Sequence, residues 1–246
     1  MRDLAMIAGW MPRLSRPQLE IAVVVTLIFA GFGRWVRGVS WSGAVAGAAV
    51  CFLLYASAGG EAVAALVSVF VLTWMATRFG RVGKQKLGTA EKSNGRRASQ
   101  VLANLGVATV AAVLYVIYGR AGFLLAMAAA LSEAAADTVS SEIGQAVGTN
   151  PRLITTWRVV PAGTDGGVTV AGTLAGVMAA VLIALVCVLT GLLPWKWFGI
   201  AVGAATVGMM ADSFLGAWLE RRGMLNNDLV NFLGTLIAAG MAFLVA

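Results

Sequence analysis

The run VTVAGTLAGVMAAVLIALVCVLT, residues 168–190, carries no charged side chain. About 20 apolar residues in a row suffice to cross a hydrocarbon core of ~30 Å. Comparable runs recur along the whole chain, near 18–33, 41–58, 61–78, 99–118, 121–147, 196–219 and 228–245. Composition agrees, with 59% of the 246 residues hydrophobic and only 12% charged. A soluble domain carries about 25% charged residues to solvate its surface. The expected fold is therefore all-α, a polytopic transmembrane helical bundle of about eight spans (seven to nine), forming a single integral membrane domain over 1–246. Residues 1–17 read as an interfacial N-terminal segment, because the apolar stretch from Leu4 to Met11 is too short to cross.

The basic residues divide unevenly between the two faces implied by these spans. One face collects Arg34, Arg37, seven Lys and Arg between Arg78 and Arg97, Arg152, Arg158, Arg221 and Arg222; the other holds only Arg2, Arg13, Arg16, Arg120 and Lys196. The positive-inside rule places the richer face in the cytoplasm and both termini outside. The expected location is the inner (plasma) membrane of a prokaryote, with the site facing the cytoplasm. Small-xxx-small pairs at Gly43/Gly47, Gly172/Gly176 and Gly199/Gly203 predict close helix–helix approach.

Several chemistries are excluded at once. The chain has no His, which removes histidine bases, phosphohistidine intermediates and the usual zinc sets. Cys51 and Cys187 sit far apart inside apolar runs and read as small buried hydrophobes. The net charge of +7 is concentrated in loops between spans. That distribution suits phosphate ligands or anionic lipids rather than nucleic acid. No GxxxxGK[ST] phosphate loop is present, nor the DGxxAR…GxxxD…D pattern of CDP-alcohol transferases.

The polar residues that remain are grouped. Glu133, Asp137, Glu142 and Asp212 fall within apolar runs, where a carboxylate costs on the order of 3 kcal/mol or more unless it pairs, binds an ion or lines a wet cavity. Glu133 and Asp137, four apart, share a helix face with Ser140 and Ser141; Glu142 points elsewhere on a straight helix. The basic loop 78–98, RFGRVGKQKLGTAEKSNGRRA, reads as a pliable, phosphate-attracting segment bearing Lys84, Lys86, Arg96 and Arg97. Taken alone it serves equally well as a topological anchor. Arg96, Gln100 and Asn104 continue from it at four-residue spacing as a polar stripe into the membrane, which favours a site. The Gly/Pro-rich loop 148–167 ends in Thr164, Asp165, Gly166 and Gly167, a segment able to offer backbone N–H groups to an anion where the next helix begins. Asn227 and Asn231 share a face of the last span. All of these groups converge on the basic membrane face.

Five blocks in order carry a resemblance: KSNGRRASQVLANLG (92–106), AADTVSSEIGQ (135–145), TNPRLITTWRVVPAGTDGGVT (149–169), ADSFLGAWLE (211–220) and NNDLVNFLGTLI (226–237). Together they resemble the membrane prenyl-phosphate kinase family that includes plant phytyl-phosphate kinase, and more distantly dolichol and phytol kinases. The resemblance implies transfer of a nucleotide's terminal phosphate, CTP foremost, to a prenyl monophosphate. Residues and resemblance together make Asp137, Glu133 and Asp212 the expected catalytic and Mg²⁺-holding groups. Lys84, Lys86, Arg96, Arg97, Gln100, Asn104, Ser140, Ser141, Glu142, Arg152, Thr164, Asp165, Gly166, Gly167, Asn227 and Asn231 are the expected nucleotide- and phosphate-binding set. The expected partners are a nucleoside triphosphate, a prenyl monophosphate and membrane lipids, with a homo-oligomer left open. Two other readings stand beside this one, a kinase acting on the free lipid alcohol and an ion-coupled transporter.

Overall fold

The computed structural model describes residues 15–90, 94–147 and 149–246. The proposed interfacial segment lies almost wholly outside the described residues, and the first helix begins at Arg16. Eight α-helices follow in order: α1 Arg16–Trp35, α2 Trp41–Arg78, α3 Arg81–Leu87, α4 Ala98–Tyr118, α5 Gly122–Val147, α6 Val170–Leu189, α7 Phe198–Trp218 and α8 Asn227–Val245. Among the described residues seven of them, all but α3, are long and apolar enough to cross a membrane. Exposed Trp35, Trp41 and Trp218 ring one end of the bundle and Tyr118 and Trp195 the other, the belt arrangement of interfacial aromatics.

Helix α2 carries two of the expected spans. Its 38 residues amount to about 57 Å of helix, roughly twice a hydrocarbon core. Ala58 (φ −142°, ψ 18°) and Gly59 (φ 74°, ψ −166°) break it in the middle, and glycine alone adopts the second conformation without strain. Both arms return to the same turn. The Gly43 backbone packs on Val39 at the start of α2, while the Arg78 guanidinium and the Trp74 indole N–H, near its end, donate to the Val36 carbonyl at 2.6 and 3.3 Å. The element is a helical hairpin, and the described residues make eight crossings.

Helix α5 forms the axis of the bundle. From Leu125 to Ala136 no residue is more than 4% exposed, and most are alanine. Small side chains let neighbouring backbones close on it, which substitutes in lipid for the hydrophobic drive available in water. A Cβ at Gly172 or Gly176 of α6 would lie 2.5 Å from the Ser140 carbonyl oxygen or 2.8 Å from that of Ala136. Gly208 of α7 and Gly234 of α8 close on Glu133 in the same way. The Gly172/Gly176 expectation is met, whereas Gly199 and Gly203 have nothing within 4 Å and make no helix contact.

The two long connections are more ordered than their composition suggests. The 78–98 loop contains α3, whose Lys84 is fully buried. Its Nζ donates to the Ala76 and Thr77 carbonyls and to Glu142 Oε2 on α5. Residues 149–168 fold around a two-stranded antiparallel ribbon of β1 (Arg152–Leu153) and β2 (Gly167–Val168), with Arg152 opposite Val168. This is the one sheet among the described residues, and an isolated parallel bridge joins Val39 and Arg96.

Two outcomes test this architecture. Single cysteines at Gly60 and Lys196 are expected to label from one side of sealed vesicles, and cysteines at Val82 and Arg221 from the other; protection of position 60 from both sides would mean that α2 does not double back. Lys84→Met is expected to lower stability in detergent by about 3–5 kcal/mol, because Glu142 loses its partner. Lys84→Met combined with Glu142→Leu is expected to recover much of that loss, as read by thermal unfolding.

Candidate active site

At the basic end of the bundle α4, α5, α7 and α8 surround a polar cavity of about 270 Å³. Helix α5 supplies Asp137, Ser140, Ser141 and Glu142; α7 supplies Asp212 and Ser213; α8 supplies Asn227 and Asn231; the start of α4 supplies Gln100 and Asn104, with Arg96 just before it. The turn Thr164–Gly167 closes the cavity from the loop side. There Gly167 N–H donates to the Thr164 carbonyl at 2.8 Å. Gly166 has φ +71° and lies so close to α7 that a Cβ would sit 2.5 Å from the Ala217 nitrogen, so glycine is required.

The carboxyl groups of Asp137 and Asp212, from different helices, lie within hydrogen-bond reach of each other. Asn231 holds the second of these. With its amide oriented to satisfy its neighbours, it donates to Asp212 Oδ2 at 3.3 Å and to the Asn227 carbonyl at 3.2 Å, and accepts from Asn104 Nδ2 at 3.2 Å. Asn104 also donates to the Gln100 carbonyl at 2.8 Å. A continuous polar chain thus runs from α4 through α8 to the carboxyl pair. Two turns of the α4 polar stripe become a scaffold rather than an isolated patch.

Arg96 is placed by backbone. Its N–H donates to the Gly38 carbonyl at 3.1 Å and its carbonyl accepts from Ser40 at 2.9 Å. A Cβ on Gly43 would fall 2.1 Å from that carbonyl oxygen, so a glycine in α2 lets this strand of chain lie down. The guanidinium donates to Thr138 Oγ1 at 3.3 Å and stands close enough to Asp137 to act on it electrostatically.

Glu133 lies one turn deeper. It is 1% exposed, faces the Asp137 and Asp212 pair, and its Oε1 has no hydrogen-bond partner among the described residues. A buried carboxylate oxygen left without a donor is costly, so a group that brings positive charge would be accommodated at this oxygen. Hard oxygens on two helices, with an orphaned third beneath them, suit a hard divalent cation such as Mg²⁺, which takes one or two carboxylates and completes its shell with phosphate and water. Among the described residues no three His, Cys, Asp or Glu side chains are gathered tightly enough to hold a metal unaided. A cation held here would need further oxygens from a bound ligand.

Not every expected residue reaches the cavity. Lys84, expected among the phosphate-gripping cations, is committed to α3 and Glu142 as described above. Lys86 and Arg97 are exposed and do not line the cavity. Arg152 turns its guanidinium to the Trp157 carbonyl at 2.8 Å, on the outer side of the ribbon. Glu142 does line the cavity although α5 stays helical to Val147, because α3 packs a lysine against it. Thr169, which also lines the cavity, caps α6 by accepting from Gly172 N–H at 3.0 Å. One acidic lining residue carried no expectation: Glu220, on the 3₁₀ turn Glu220–Arg222, stands near Asp165 and Asp137. It lies eight residues after Asp212, two helical turns, and that spacing was the available signal.

Comparison with known proteins gives the family. The family model described as "Integral membrane protein DUF92" matches residues 24–239. An uncharacterized membrane protein of Methanocaldococcus jannaschii is 33% identical over 234 residues, 93% of this chain and 94% of that protein. Protein VTE6, chloroplastic, of Arabidopsis thaliana is 31% identical over 242 residues, 94% of this chain and 73% of that protein. Protein PGR of the same plant is 28% identical over 240 residues, 85% of this chain and 82% of that protein. No solved structure matches the chain significantly. The five blocks between 92 and 237 that carry the family resemblance fall inside the matched span and supply most of the cavity wall. The chain belongs to the DUF92 family of integral membrane proteins.

Proposed function

We propose that this protein is a membrane kinase that transfers the terminal phosphate of a nucleoside triphosphate, CTP foremost, to a prenyl monophosphate, with Mg²⁺ at the carboxyl pair and the site facing the cytoplasm of a prokaryotic cell. The observation that carries the reading is the pairing of Asp137 with Asp212 beside Arg96, beneath a Gly-rich turn, at the end of a membrane bundle. Among the described residues five carboxylates line the cavity, Asp137, Glu142 (paired with Lys84), Asp165, Asp212 and Glu220, with Arg96 as the lining cation. Such a wall repels a bare polyphosphate and accepts one that arrives with divalent cations. The family resemblance of the motif blocks supports the same substrate class.

The acceptor explains the absence of a histidine base. A phosphate monoester has a second pKa near 6, so at neutral pH it is largely a dianion and needs no deprotonation. Its oxygen attacks the terminal phosphorus, the bond from that phosphorus to the bridging oxygen breaks, and the nucleoside diphosphate leaves with the electron pair. Catalysis then rests on alignment and on neutralising the transferring group's charge. Asp137 and Asp212 would hold Mg²⁺, with Glu133 supporting them from below; when bound, the ion screens the phosphates and stabilises charge on the equatorial oxygens. Arg96 neutralises an acceptor or donor phosphate at the rim. Asn104, Asn227 and Asn231 keep the Asp212 carboxyl fixed, and the 164–167 turn covers the nucleotide end.

A free lipid alcohol is a poorer acceptor here, because its hydroxyl must lose a proton and this reading gives Asp137 and Asp212 to the ion rather than to a base.

The test is transfer of label from CTP or ATP to farnesyl and geranylgeranyl monophosphates by purified protein in detergent, beside the free alcohols. Diphosphate formed from the monophosphates is expected, with loss on chelation of divalent cations and recovery on adding Mg²⁺. Asp137→Asn and Asp212→Asn are each expected to lower kcat by about 10² or more, with thermal unfolding unchanged or raised. Lys196→Ala, at the opposite end of the bundle, is expected to change kcat by less than about threefold. Survival of activity within a few fold in Asp137→Asn would remove the metal role, and labelled monophosphate formed from the alcohols would move the protein to the lipid-alcohol kinases.

A further inference from the structure

A second cavity of about 230 Å³ adjoins the first. It lies between α1, the two arms of α2, α4 and α5, and shares Arg96, Gln100 and Asn104 with the carboxylate cavity. Its two ends differ in chemistry. Arg37, Arg78 and Arg81 stand at the basic face, at the helix ends. Deeper, the wall is made by Phe29, Gly47, Leu66, Val69, Phe70 and Ala134, none of which offers a side-chain hydrogen bond. From Arg78 to Leu66 the α2 arm descends twelve residues, about 18 Å of helix. The cavity is therefore long, cationic at one end and apolar at the other.

Resting on the kinase reading for the identity of its occupant, we propose that this second cavity holds the isoprenoid tail of the acceptor, with the acceptor phosphate at the shared edge of Arg96, Gln100 and Asn104, and that Gly47 and Phe29 set the chain length accepted. A polar donor cannot use the deep end of this space, because its phosphates and sugar would lose their hydrogen bonds against Leu66, Val69 and Phe70. The neighbouring cavity, with five carboxylates, is equally unsuited to a hydrocarbon. An amphiphile with one anionic end satisfies both ends of the second cavity and puts its phosphate against the first. Donor and acceptor thus reach the same arginine from different compartments, and neither has to leave for the other to enter.

Gly47 is the position at which this length can be altered. A Cβ there would meet only Phe29 Cε1, at 3.9 Å, an ordinary contact, so a larger side chain grows into the cavity without moving backbone. Gly43, one turn away, cannot serve, since its Cβ would collide with the Arg96 carbonyl. Phe29 is held edge-on to Phe70 with ring centroids 5.6 Å apart and forms the opposite wall.

The experiment compares short and long prenyl monophosphates, geranyl and geranylgeranyl, as acceptors for the full-length protein in detergent. In Gly47→Leu the ratio of kcat/KM for the long chain to that for the short chain is expected to fall at least tenfold, the effect of excluding about two methylenes. In Phe29→Ala the same ratio is expected to rise. A ratio unchanged in both variants would overturn the proposal. A photolabelling arm on the wild-type protein decides the matter independently of turnover and of whether the variants fold. A prenyl monophosphate bearing a diazirine at its tail end is expected to label peptides containing Gly47 or Leu66, with competition by unlabelled prenyl monophosphate and not by phosphatidylglycerol. Labelling confined to the outer faces of α6 and α8, or equal competition by the phospholipid, would overturn it. Labelling in the cavity without transfer to any acceptor would leave the tail site standing and remove the kinase reading.

Discussion

A carboxylate buried at bilayer depth has no water to solvate it, so the helices around it must supply its environment. In this protein that constraint falls on one helix. α5 carries Glu133 in its buried middle, Asp137 one turn on at the cavity wall and Glu142 beyond it. An alanine-rich surface lets α6, α7 and α8 come within van der Waals distance of its backbone. Gly208 and Gly234 close against Glu133 itself. The acidic groups are thus surrounded on the membrane side by small residues and open only toward the basic face. Polarity at depth is tolerated because it is part of one connected chain, from Gln100 through Asn104 and Asn231 to Asp212, rather than a set of isolated groups.

The same arrangement separates two environments with very little material. Arg96, Gln100 and Asn104 face a carboxylate-lined cavity on one side and an aliphatic and aromatic one on the other. Their position does not come from their own helix alone. The strand of chain before α4 is bonded to the turn between α1 and α2, and that turn is where the α2 hairpin returns. A break at Ala58–Gly59, on the far side of the bundle, therefore helps to fix the arginine at the junction. The Lys84–Glu142 pair does a related task by pinning α3 across the outer end of α5. It converts what would be a loose basic loop into a wall.

Much of this was legible in the sequence. Eight apolar runs with most of the charges between them leave few alternatives to a helical membrane bundle, because unsatisfied backbone cannot enter lipid. Residues such as Asp137, Asp212, Asn104 and Asn231 announced themselves by being polar where apolar residues were required, and four-residue spacing placed them on common faces. The charge asymmetry between loops assigned them all to one end. Each of these inferences depends on a local or one-dimensional property, the cost of burying a polar group or the period of a helix.

What the sequence could not decide was which groups meet. Lys84, Lys86, Arg97 and Arg152 look alike as loop cations, yet one is buried against Glu142, one hydrogen-bonds within its own ribbon and two stay exposed. Long flexible side chains take their direction from whatever packs nearby, and that is set by residues remote in the chain. Glu220 joined the cavity through a turn after α7, and Glu142 through a lysine 58 residues away. The sequence by itself determined that the protein spans a membrane and keeps its polar groups at one end, because both follow from solvation. Only the tertiary structure decided that Asp137 faces Asp212 and that an apolar cavity shares an arginine with them, because contacts between helices depend on which glycines let which backbones approach.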